Sequence, residues 1–119
     1  MTSVDFHQSQ ELRNAGIEVA LSAGATLFEQ GDESDGAYVI LAGSVAVIEG
    51  GVPVGVLEPG EFFGEMTALD GSTRTATVVA DSDAVLLRIA PRRLQETFDS
   101  NPDLYWGLFR TMMSRLRSI

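Results

Sequence analysis

The segment Phe62-Phe63-Gly64-Glu65-Met66-Thr67-Ala68-Leu69-Asp70-Gly71-Ser72-Thr73-Arg74-Thr75 holds the residue types and spacing best suited to chemistry. Between residues 14 and 87 the chain carries twelve acids and a single base, Arg74. An arginine in so acidic a setting either pairs with a neighbouring carboxylate or awaits an anionic ligand. Gly64 allows backbone to approach a ligand closely, and Glu65 to Leu69 reads as one helical turn entered through it. A helix start leaves N–H groups without partners and presents the positive end of the dipole, which together suit an anion. Arg74, at the start of the strand expected over Thr75 to Ala80, can reach back across that turn to the same point. One arginine with about two backbone N–H groups matches a singly charged phosphate diester. A triphosphate would call for more bases and a metal. Glu65 is useful there only if it accepts a hydrogen bond from something beside the phosphate, such as a ribose hydroxyl. Alone, Glu65 is an acid favoured in a first helical turn; with Gly64 and Arg74 it favours binding.

The elements that must position these residues are mostly short strands. Residues 17–90 carry apolar runs at close spacing, including Ile17 to Leu21, Ala37 to Leu41 and Ser44 to Glu49. Gly50-Gly51 separates the last of these from Val52, Val54 and Val56, a two-residue hairpin signal because both turn positions need positive φ. Pro53 has no N–H, which places its strand on an edge. Thr75 to Ala80 and Ala84 to Ile89 are two more runs, joined at Asp81-Ser82-Asp83. Many short strands with turns between them predict a sandwich or barrel.

Helical patterns flank this body. Residues 4–14 read as a short helix with Val4, Phe6 and Leu12 apolar. From Pro91 the period changes: Pro91 suits the first helical position, and Leu94 and Phe98 share a face. Asn101 then caps a further helix with Pro102 at its first position. That helix carries Tyr105, Leu108, Phe109, Met112 and Leu116 on one side, the pattern of a helix docking on the body. It could also move, or pair with a second copy of the chain as a homodimer.

A chain of 119 residues has room for one domain, 1–119. It contains no cysteine and one histidine, His7. That excludes a disulfide framework, thiolate metal sites, a cysteine nucleophile and any site needing two imidazoles, so no metal is expected. Residues 1–83 hold fourteen acids and two arginines, whereas residues 84–119 hold three acids and six arginines. So acidic a body repels a phosphate backbone, and no nucleic-acid partner is expected. The longest clearly apolar run, Ala37 to Ala42, is far short of the ~20 residues a bilayer needs, so no membrane span is expected. The start Met1-Thr2-Ser3-Val4-Asp5 lacks the basic and apolar regions of a signal peptide, and a cytoplasmic location is expected.

These residues resemble the phosphate-binding cassette of the cyclic nucleotide-binding domain family, the module of bacterial catabolite activators, cyclic-nucleotide-dependent kinases and gated channels. Phe63, Gly64, Glu65, Met66, Arg74 and Thr75 match the family's pattern, in which the arginine follows the glycine by ten residues. Glu29-Gln30-Gly31-Asp32, Asp35, Tyr38, Gly43, Val45 and Gly60 stand where the family's turns and strands lie. The resemblance covers roughly residues 14–118. It implies a mainly β, jelly-roll-like β-roll over 17–90, with the short N-terminal helix 4–14, a short cassette helix and two C-terminal lid helices within 91–118.

By the same resemblance, Arg74 pairs with the cyclic phosphate of cAMP or cGMP and Glu65 accepts the ribose 2′-OH. Gly64, Met66 and Thr67 supply backbone around the sugar-phosphate, and Thr75 adds its N–H and hydroxyl. Val45, Val47, Leu57 and Phe63 are candidates for the apolar wall near the base, and Tyr105, Trp106, Phe109 and Arg110 for covering it. Two positions depart from the pattern: Thr73 replaces a common proline, and Thr67 a common alanine. A hydroxyl at Thr75 resembles members that accept cGMP as well as cAMP, with cAMP slightly preferred. The expected role is a sensor in signal transduction, without catalytic groups or a cofactor, acting on an effector protein or effector domain. The alternative is a degenerate member that keeps the fold as a ligand-free interaction surface, though such a member would be expected to have lost Glu65 or Arg74.

Overall fold

In the computed structural model, residues 14–103, 106, 107 and 110 are described, with Glu65, Met66 and Leu69 placed by backbone alone. The order of elements begins with strands β1 (Ile17–Leu21), β2 (Thr26–Phe28), β3 (Ala37–Ala42), β4 (Val45–Glu49), β5 (Val52–Leu57) and β6 (Phe62–Phe63). Helix α1 (Glu65–Asp70) follows, then β7 (Thr77–Ala80), β8 (Ala84–Ile89) and helix α2 (Pro91–Ser100). The strands form two four-stranded antiparallel sheets, ordered β1-β8-β3-β6 and β2-β7-β4-β5. This is the jelly-roll arrangement expected from the resemblance.

β3 is apolar almost throughout because both its faces are covered. Tyr38 and Ile40 point into the sandwich with Val45, Phe63, Val78, Ala84 and Leu86. Ala37 and Val39 point the other way, into a second cluster with Phe62, Ala68, Leu87, Ile89, Leu94 and Phe98. That second cluster fastens α2 to the outside of the first sheet. Leu94 and Phe98 lie one turn apart and are both buried, each burial contributing about 1.5–3 kcal/mol. Ala68 brings α1 into the same cluster.

The hairpin between β4 and β5 turns through Gly50 and Gly51, both at positive φ. β5 pairs with β4 alone, so Pro53 does lie on an edge strand. Two details differ from the sequence expectation. The strand after Arg74 starts at Thr77, because the backbone of residues 73 and 74 pairs with the loop at residues 31–33 instead. β2 and β6, of three and two residues, were not anticipated, being too short to show a period. α2 runs through Ser100 before the Asn101 N–H bonds the Phe98 carbonyl, and Pro102 and Asp103 are helical again. The expected helix over 4–14 lies outside the described residues apart from Asn14, which is helical, as is Ala15. The expected final helix is described only at residues 102, 103, 106, 107 and 110.

Candidate functional site

Arg74 is anchored before its side chain does anything. Its N–H bonds the Asp32 carbonyl and its own carbonyl accepts from Gly31 N–H, each at 2.8 Å. Next to it, Thr73 bridges Glu33. The side chain is then directed into the molecule and is only 3% exposed. Such a charge needs partners close by. Nη2 donates to Asp35 Oδ1 at 2.9 Å and to the Gly36 carbonyl at 2.6 Å. Nη1 donates to Thr67 Oγ1 at 2.9 Å and to the Gly64 carbonyl at 3.2 Å. The Phe28 ring lies 4.0 Å from the guanidinium carbon, within cation–π range. Nε is buried and has no hydrogen-bond partner among the described residues. The two sequence readings of Arg74 therefore coexist: it is paired with a carboxylate, and it retains one buried donor for a further acceptor.

Asp35 is itself held in place. The Tyr38 hydroxyl donates to its carboxylate at 2.9 Å, and Arg88 lies 3.7 Å from its other oxygen. Burial pushes the Tyr38 phenol well above the usual tyrosine range, and the hydrogen bond to the Asp35 carboxylate pushes it further. The Tyr38 ring stacks on Phe63, with centroids 5.5 Å apart. Thus Phe28, Tyr38 and Phe63 form an aromatic floor beneath the guanidinium.

Gly64 caps α1 with φ of 75°, a left-handed conformation in which a side chain costs roughly 1–2 kcal/mol. A Cβ there would also stand 2.6 Å from Arg74 Nη1. Its carbonyl accepts from Thr67 Oγ1 and Ala68 N–H as well as from Arg74. Thr67, one of the two departures noted in the sequence, therefore uses its added hydroxyl to join the glycine carbonyl to the arginine. At the other end of α1, Asp70 accepts from Ser72 N–H at 2.8 Å and from Ser72 Oγ at 2.6 Å. These two bonds, the hydroxyl's first, hold the Asp70 carboxyl below the usual carboxylate range.

These residues surround a cavity of about 440 Å³. Gly64, Thr67, Arg74 and Thr75 lie together on one part of its wall, and Val47, Leu57 and Phe63 supply apolar wall. Val45 does not. It is fully buried one step deeper, opposite Leu57 and packed in the sandwich core. Glu65 and Met66 start α1, and their side chains lie outside the described residues, as do Tyr105 and Phe109. Trp106 and Arg110 are exposed and are not part of the cavity wall. The structure adds Phe28, Asp35, Gly36 and Tyr38 around the arginine, and Glu49, Asp70 and Ser72 in the wall. Glu49 was readable from the two-residue period it shares with Val47. Phe28 had no comparable signal. Among the described residues there is no cluster that could hold a metal ion, and no helix long and apolar enough to cross a membrane.

A β-roll with a buried arginine beside a glycine-capped short helix, opening on a partly apolar cavity, defines a class of small-anion receptor. The chain belongs to the cyclic nucleotide-binding domain family, whose model matches residues 18–101. It is similar to the Pycsar effector protein XpPycTIR of Xanthomonas perforans, 33% identical over 109 residues, which are 91% of this chain and 36% of that protein. It is also 40% identical over 89 residues to the cAMP-dependent protein kinase regulatory subunit of Dictyostelium discoideum, covering 67% of this chain and 27% of that one. Among solved structures, the catabolite activator protein of Thermus thermophilus superposes with a TM-score of 0.87 at 27% identity, over 94% of this chain and 55% of that one. The chain thus spans about a third or less of the length of the curated relatives it matches. It is a cyclic nucleotide-binding domain, a regulatory module of the jelly-roll kind.

Proposed function

We propose that this chain binds cAMP or cGMP and passes the binding event to an effector through its C-terminal helices. The observation that carries the reading is the buried Arg74, its Nε without a hydrogen-bond partner among the described residues, on the wall of a cavity with apolar surface beside it. The cyclic phosphate takes that arginine, Glu65 accepts the ribose 2′-OH, and Gly64, Met66, Thr67 and Thr75 enclose the sugar-phosphate. Val47, Leu57 and Phe63 form the apolar side against which the base rests. Charge-assisted bonds of this kind are worth about 1.5–3 kcal/mol each.

A phosphate that places one oxygen on Nε of Arg74 and a second on Nη1 competes there with the Gly64 carbonyl and Thr67 hydroxyl, so ligand entry pulls on α1. Ala68 of α1 packs in one cluster with Leu94 and Phe98 of α2. A shift of α1 therefore changes what α2 packs against. The ligand moves this equilibrium only by its differential affinity for the two arrangements. The relatives named as an effector protein and as a kinase regulatory subunit support an output partner, either a separate protein or a domain of a longer chain. A homodimer through the C-terminal helix, a cytoplasmic location and the absence of nucleic-acid and membrane partners belong to the same proposal.

Thermal unfolding tests the reading. With cAMP or cGMP at about a hundred times its dissociation constant, stability rises by about 2.7 kcal/mol and the melting temperature with it. Linear 5′-AMP and 5′-GMP, with a doubly charged phosphate, produce a much smaller rise. No rise with either cyclic nucleotide at millimolar concentration points instead to the ligand-free interaction domain.

A further inference from the structure

Among the described residues, the cavity wall presents three charged side chains: Arg74, Asp70 and Glu49. Arg74 belongs to the phosphate and Asp70 is held by Ser72, but the Glu49 carboxylate has no hydrogen-bond or ion-pair partner among the described residues. Its place follows from strand geometry. On β4, Val45, Val47 and Glu49 share the inner face, each about 7 Å beyond the last. Val45 is opposite Leu57 and Val47 is opposite Gly55. Val47 and Glu49 both line the cavity, whereas Val45 lies deeper in the core. The turn that follows is fixed: Gly50 N–H donates to Gln30 Oε1 at 2.9 Å, and Gln30 N–H to Thr77 Oγ1 at 2.9 Å. Glu49 therefore sits on anchored backbone, on the part of the wall that carries no phosphate-binding group.

We infer that Glu49 reads the edge of the base and selects guanine, making cGMP the preferred ligand; this rests on the nucleotide reading above. A carboxylate only accepts hydrogen bonds. Guanine offers it two adjacent donors, N1–H and the N2 amino group, which match the two carboxylate oxygens in a paired, charge-assisted contact. Adenine offers one amino donor beside the N1 lone pair, which a carboxylate oxygen repels. The apolar wall treats both purines alike, so the carboxylate decides between them. A site built around such donors rejects a base that lacks them, because its own polar group is left without a partner.

The test is competition binding of cGMP, cAMP and cyclic IMP to the whole chain and to Glu49→Gln, Glu49→Val and Arg74→Ala. The expected result is cGMP bound at least about tenfold more tightly than cAMP, with cyclic IMP, which lacks the N2 amino group, in between. Glu49→Gln loses the charge and one of the two acceptors that face guanine N1–H and N2, while giving adenine N1 a donor, and is expected to cut the preference for cGMP at least about tenfold. Glu49→Val is expected to bring the two purines close to parity. Glu49 is exposed and makes no side-chain bond, so both variants fold, which their melting temperatures check. Equal or tighter binding of cAMP by the unaltered chain overturns the inference, as does an equal effect of Glu49→Gln on both nucleotides. If Arg74→Ala weakens both nucleotides while Glu49 variants leave their ratio unchanged, only the role of Glu49 falls. If the folded chain binds neither, the nucleotide reading falls with it.

Discussion

Four of the five N–H groups of Arg74 are spent on Asp35, Gly36, Thr67 and Gly64, so the protein's own groups satisfy most of its charge. Asp35 stands in for part of the negative charge that a phosphate would bring. Tyr38 adds a pH dependence to this network. Its folded-state pKa is raised, first by burial and then by the Asp35 carboxylate. The stabilisation is therefore present below the ordinary tyrosine pKa of about 10 and is lost as pH rises beyond it. Of the chain's two tyrosines, the one whose ultraviolet ionisation step disappears in Tyr38→Phe should be the later to titrate. A single step near the ordinary value for both would contradict this. Much of the residue-scale site was legible: Gly64, Arg74 and Thr75 are close in sequence and have distinctive chemistry. Asp35 as the arginine's partner was not, because the contact spans 39 residues and one acid among twelve carries no mark of its pairing. Val45 packs in the core and Val47 lines the cavity on the same strand, because alternation tells which face a side chain takes but not how deep along that face the cavity ends.

The elements divide into those whose pattern exceeds noise and those defined only by their neighbours. β3, β4 and β8 are mostly apolar runs of five or six residues, and Gly50-Gly51 announces its hairpin. β2 and β6 exist because β7 and β3 offer them free backbone partners, which no local propensity reveals. α2 was readable from Pro91 and the Leu94–Phe98 spacing, and its hold on the body is apolar. Leu94→Ala should cost about 2–5 kcal/mol, since Leu94 is fully buried between α2 and the first sheet. Arg92→Ala, which removes an exposed pair with Glu96 at 3.3 Å, should cost under about 1 kcal/mol. Urea denaturation of the two variants compares them directly. Similar losses would mean that α2 is held by surface charge rather than by its buried face.

At the scale of the whole molecule, a chain of net charge −9 is set to receive an anion. Long-range repulsion opposes the approach, but it is screened over about 8 Å at physiological ionic strength. The buried arginine acts at contact distance and away from solvent, so the local term decides. The shape of the fold makes this workable: two sheets close a cavity whose arginine end lies beneath α1, and α2 packs on the same cluster as α1. A ligand held by one residue at that point therefore bears on both helices. The most direct measurement is isothermal titration calorimetry of cGMP and cAMP against the unaltered chain and Arg74→Ala. The account predicts saturable one-to-one binding, weakened at least about tenfold by the loss of charge-assisted bonds worth about 1.5–3 kcal/mol each. Titrations without heat for both nucleotides, together with unchanged melting temperatures, would contradict it.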